Sequence, residues 1–93
     1  MNPPPKAARR NAATPSKDAI SMGTVFSFMR QRRGLTQQQL AERMNVHPNT
    51  VYLCEHGRTM TLDSFFLFCK AIEREPGAVI SELLAWVERD PEK

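Results

Sequence analysis

Two histidines and two cysteines are the residues of this 93-residue chain best suited to bond-making chemistry. His47 and His56 flank one short stretch, Asn45–Gly57. A histidine base needs a nucleophile within hydrogen-bond reach, and no serine or cysteine partner is apparent beside either ring. No glycine-rich phosphate loop occurs. Cys54 and Cys69 lack the spacing of a metal site and read as two reduced core thiols, since free cysteine behaves as a small buried hydrophobe. No catalytic residue, metal or cofactor is therefore expected. The same stretch offers recognition chemistry instead. His47, Pro48, Asn49, Tyr52 and Leu53 fall on one side of a short helix, and the Asn49 carboxamide can make two hydrogen bonds to adenine in a major groove. Tyr52 can reach a phosphate or stack on a thymine methyl. Leu53 fits two surroundings equally, a thymine methyl or the loop near Met60.

Those side chains need a scaffold, and from Ile20 onward the apolar spacing is helical throughout. "GTVFSFMRQRR" places Val25, Phe26 and Met29 on one face and stops at Gly34, a good left-handed cap residue. Thr36 followed by Gln39 is a capping box that opens a second helix, with Leu40, Ala41 and Met44 inside. Asn45 suits a tight left-handed turn, and Val46 can plug the core. Pro48 fits the first position of a third helix, whose Val51 and Cys54 point inward and which ends at Gly57. Thr61 caps a fourth helix, "LDSFFLFCKAIERE", with Phe65, Phe68, Cys69 and Ile72 inside. Pro76 and Gly77 break it, and "AVISELLAWVER" forms a fifth. The fold class expected is all-α: five helices over residues 21–89, with a helix-turn-helix at 36–57. Two short helices joined by a tight turn can also be plain core, so the pattern alone does not decide between that and a DNA-reading unit.

Residues 1–20 are rich in Pro, Ala, Lys and Arg and lack apolar periodicity, so they are expected to form a disordered basic arm. Such an arm can track phosphate or enter a minor groove; a plain tail is the simpler reading. Residues 90–93 form a short tail. The net charge of +3 is unevenly placed. Lys6, Arg9, Arg10 and Lys17 face only Asp18 in the arm, whereas Glu73, Glu75, Glu82, Glu88, Asp90 and Glu92 outnumber the cations of the last 25 residues. A basic arm and middle suit a polyanion, and the acidic end should point away from it. No apolar run is long enough to span a bilayer and no secretory signal is present. A cytoplasmic, nucleoid-associated protein of bacterial or phage context is expected.

The segment "RQRRGLTQQQLAERMNVHPNTVYLCEHGR" resembles the helix-turn-helix family of phage repressors and Cro proteins, the xenobiotic-response-element family. The resemblance rests on Gly34-Leu35-Thr36-Gln37, Leu40-Ala41, Val46-His47, Val51 and Glu55-His56-Gly57. It is strong from Phe26 to Arg58 and extends to about Val87. It implies a repressor-like five-helix fold, sequence-specific binding of double-stranded DNA, dimerisation and transcriptional control. Thr36 and Gln37 match positions that contact phosphate, and the amides at that helix start suit an anion. His56 and Arg58 are further phosphate candidates. Arg30 and Glu55 match a structural ion pair between the first and third helices. His47 stands where the family prefers serine, which both caps and contacts DNA; histidine is a weaker cap. Pro48 and Leu53 depart from the family's polar residues, and no arginine lies on the reading face to contact guanine.

The fifth helix carries more apolar residues than one stripe needs. Val79, Leu83, Trp86 and Val87 are the candidates for a homodimer interface, which Phe28, Phe66 and Leu67 can extend. Two functions follow. One is a homodimeric repressor of a short inverted repeat. The alternative is an antitoxin or co-regulator whose main partner is another protein.

Overall fold

The computed structural model describes residues 17–88 and shows five helices packed around one hydrophobic core: α1 (Lys17–Arg32), α2 (Gln37–Met44), α3 (Pro48–Glu55), α4 (Leu62–Ala71) and α5 (Pro76–Glu88). No strand occurs among the described residues. The expected readings of residues 1–16 and 89–93 lie outside the described residues.

Local signals set most boundaries. Thr36 accepts a hydrogen bond from the Gln39 amide while the Gln39 side chain takes the Thr36 amide, closing the capping box. Asn45 adopts φ 59°, ψ 46°, a left-handed turn that its short polar side chain tolerates. Gly34 ends the α1 segment at φ 74°, and Thr61 caps α4 through the Ser64 amide. Three boundaries differ from expectation. First, α1 begins at Lys17 rather than near Ile20; Asp18 in its first turn suits the positive end of the helix dipole. Second, α4 stops at Ala71 although Ile72–Glu75 are competent helix formers. Pro76 is the cause, because its ring would meet the Ile72 carbonyl and it bars Glu75 from helical backbone. Glu73 turns left-handed instead, at φ 59°. The exposed end is held from outside: Arg43 of α2 donates to the Ala71 carbonyl at 2.9 Å, and Glu73 pairs with Arg33. Third, Pro76 and Gly77 not only break α4 but also form the first turn of α5, where a missing N–H costs nothing.

The core runs through all five helices. Val25, Leu40, Phe68, Ile72 and Val79 are essentially closed to solvent, and Phe26 meets Phe68 edge-on with centroids 4.9 Å apart. Burying such aliphatic and aromatic groups stabilises by roughly 1.5–3 kcal/mol each. Cys54 and Cys69 are buried free thiols, and burial pushes both thiols up from their ordinary acidity.

Candidate nucleic-acid interface

Helix α3 is clamped by its inner face. Val51, Cys54 and Glu55 are buried, and Val46 packs against the same core. Glu55 is the only charged group in the core among the described residues, with 4 % of its side chain exposed. Arg30 of α1 grips it as a fork: Nε donates to Oε2 at 2.7 Å and Nη2 to Oε1 at 3.2 Å. The same guanidinium donates from Nη1 to the Leu35 carbonyl at 2.7 Å. One side chain thereby ties α1, the loop before α2 and α3 together. A two-pronged arginine–carboxylate contact fixes angle as well as distance.

Gln37 joins this clamp from the first turn of α2. Its amide nitrogen donates to Glu55 Oε1 at 3.0 Å. The side chain expected to reach outward to phosphate is therefore half-buried and turned toward Glu55; its second amide hydrogen and the free amides of the α2 start remain for an anion. Gly23 is a further positioning residue, one that no sequence signal singles out. A Cβ there would lie 2.7 Å from the carbonyl oxygens of both Cys54 and Glu55. Only a bare backbone lets α1 approach the end of α3 so closely.

The outward face holds the expected readers. His47, Pro48, Asn49, Tyr52, His56 and Arg58 are exposed, and Leu53 is half-buried. His47 does cap the helix: its Nδ1 accepts the Asn49 amide at 3.0 Å. Pro48 occupies the first helical position. Tyr52 lies flat on His56, with centroids 4.0 Å apart and planes 27° from parallel. His56 Nδ1 lies 2.7 Å from the Tyr52 carbonyl, and since a carbonyl only accepts, that nitrogen carries the proton. The outer nitrogen of a neutral His56 is then an acceptor, the wrong polarity for a phosphate oxygen. Thr36 is exposed but its hydroxyl serves the capping box.

The α5 candidates divide. Val79 and Leu83 are 0 % and 7 % exposed; they face the core, so these two are corrected from interface to packing residues. Packing is the reason, because both side chains belong to the buried cluster that holds Val25, Phe68 and Ile72. Trp86 is 42 % exposed and stacks on Phe28 of α1 at 5.9 Å. Val87 is half-buried. Ile80 and Leu84 are also exposed, as are Leu62, Phe66 and Leu67 on α4.

The description "Helix-turn-helix domain" fits residues 22–74, more than half of the chain. The chain belongs to the helix-turn-helix domain family. Membership makes it a DNA-binding transcriptional regulator. Solved structures share the architecture. A mutant of the restriction-modification controller protein C.Esp1396I superposes with a TM-score of 0.75 at 22% identity, over 83% of this chain and 99% of that one. The wild-type controller gives 0.73 at 23% identity, over 80% and 97%. A mutant of it bound to its highest-affinity operator site gives 0.74 at 23% identity, over 80% and 99%. At this identity the likeness speaks for the fold. No curated protein matches the chain. No described helix is long and apolar enough to cross a membrane.

Proposed function

We propose that this helix-turn-helix protein is a homodimeric repressor, acting in the cytoplasm on a short inverted repeat and performing no catalysis. The observation that carries the reading is the two-sidedness of α3: its inner face is locked by Arg30, Glu55 and Gln37, and its outer face presents His47, Asn49 and Tyr52 unobstructed. A rigid helix with exposed hydrogen-bonding groups at its N-terminal half is what major-groove reading requires. Thr36, Gln37 and Arg58 flank it and supply phosphate contacts. Exposed Phe28, Ile80, Leu84 and Trp86 supply an apolar face for a second copy, which sets two recognition helices about one DNA turn, roughly 34 Å, apart. That a mutant of the structurally similar controller protein is bound to an operator site supports the DNA-binding part of this reading.

A gel-shift titration with the DNA flanking the protein's own coding region tests the proposal. A sequence-preferring band that weakens steeply as salt rises is expected, because phosphate neutralisation releases counterions. Asn49→Ala should cost about 1–3 kcal/mol at one base pair and relax preference there alone. Absence of any salt-sensitive, sequence-preferring complex removes the repressor reading. The second reading, a module that mainly binds another protein, draws on the exposed Leu62, Phe66 and Leu67 of α4. It gains if a stoichiometric protein partner co-purifies while DNA binding stays undetectable at low salt.

A further inference from the structure

We infer that His47 reads a guanine, donating from Nε2–H to the acceptor edge of that base in the major groove. The inference rests on the reading of α3 as the recognition helix. It begins with a proton that the fold assigns. The Asn49 backbone amide donates to His47 Nδ1 at 3.0 Å, and a ring nitrogen that accepts a hydrogen bond carries no hydrogen. The proton of the neutral ring therefore sits on Nε2, on the far side of the imidazole from the helix. The ring is exposed and is held in orientation by the cap, with its backbone extended at φ −69°, ψ 142°. The sequence thus places a single oriented donor at the leading end of the helix, where recognition helices meet base edges.

The polarity of that donor excludes cytosine, and a pair of neighbouring acceptors favours guanine over adenine and thymine. Guanine shows two neighbouring acceptors, N7 and O6, in the major groove, whereas cytosine shows a donor, adenine sets a donor beside its acceptor, and thymine sets a methyl beside its O4. Neither arginine nor lysine stands on the reading face to take a guanine. Asn49, two residues on, carries both a donor and an acceptor and suits adenine. His56 shows that the polarity is position-specific. Its Nδ1 donates to the Tyr52 carbonyl, so its outer nitrogen is an acceptor, and the two histidines of one helix present opposite hydrogen-bonding faces.

The test is selection of binding sites from a randomised half-site pool, using the full chain as wild type and as His47→Ser. Serine caps a helix at least as well, so thermal melting should be preserved; His47→Thr provides a second capping background if the serine variant melts early. The wild type is expected to retain guanine at one position with about a five- to tenfold preference, the strength of one net hydrogen bond. His47→Ser should lose that preference while the adenine position assigned to Asn49 persists. If His47→Ser keeps the wild-type preference at every position and only binds all sequences more weakly, the ring contacts phosphate and the inference is overturned. A wild-type preference for any base other than guanine at the position that His47→Ser relaxes overturns it as well. If the wild type selects no sequence at all, the reading of α3 as a recognition helix fails, which is a different and recognisable result.

Discussion

Helices α3 and α5 solve the same problem in opposite ways. Both lie at the surface with one face in the core. The outer face of α3 is polar, and the helix is fixed by a charged clamp behind it: Arg30, Glu55 and Gln37 connect three elements around one buried carboxylate. The outer face of α5 is apolar, with Ile80, Leu84 and Trp86 exposed and a Phe28–Trp86 stack joining it to α1. A helix that must meet hydrated, charged DNA cannot hold its place with greasy contacts on the side it offers. It needs directional bonds on its hidden side. A helix that meets another apolar face needs no such fixing, because burial is non-directional. The difference implies that α3 should fail through loss of angle and α5 through loss of association.

The largest effect should come from Glu55→Ala. It leaves the Arg30 guanidinium, 12 % exposed, without its carboxylate. Breaking a buried pair from one side costs about 3–5 kcal/mol, a large fraction of what a small domain possesses. Urea denaturation measures the loss, and DNA binding should fall with it. An unchanged midpoint would show that Arg30 finds water once Glu55 is gone and that the clamp does not set the angle of α3.

Gly23→Ala should come second, with an informative sign. Alanine ordinarily stabilises a helix interior over glycine by about 1 kcal/mol. Here its methyl would meet the carbonyl oxygens of Cys54 and Glu55, and overpacking of that kind costs about 1–3 kcal/mol. A net loss of stability, together with weaker DNA binding, is expected in chemical denaturation and a gel shift. A gain near 1 kcal/mol would mean that α1 and α3 separate at no cost.

What is legible in the sequence follows from the range of each interaction. Caps use residues two or three apart, so Thr36 with Gln39, Asn45, Pro48 and Thr61 can be placed from their immediate neighbours in the chain. The Arg30–Glu55 pair spans 25 residues and is readable only through family resemblance. Gln37 reads as outward-facing because nothing local shows that Glu55, 18 residues later, lies within 3.0 Å. Gly23 carries no signal, since its reason is the approach of a distant backbone. Val79 and Leu83 cannot be parted from Trp86 by pattern because α5 is apolar on more than one stripe. The end of α4 is misread for another reason: Pro76 is a strong local punctuator, but it can end one helix or begin the next, and here it does both.

Trp86→Ala carries the smallest expected effect on the chain's own stability and bears on α5. The ring is already 42 % exposed, so its removal forfeits the stack on Phe28, about 0.5–1.5 kcal/mol, and only part of a tryptophan's full burial. Association should suffer more than folding, since a partly exposed tryptophan is the kind of residue that anchors an interface. Sedimentation across a concentration series should show the variant shifting to monomer at concentrations where the wild type stays paired, with a loss of stability smaller than that of Glu55→Ala. The DNA readout then separates the two helices. With α3 intact, each monomer should keep the base preference proposed for His47 and Asn49, but lose the added affinity that comes from linking two half-sites. Preference should survive while affinity for the full repeat falls. If Trp86→Ala instead alters which bases are preferred, α5 is influencing the angle of α3 through Phe28 and α1, and the division between a polar-clamped reader and an apolar partner face does not hold.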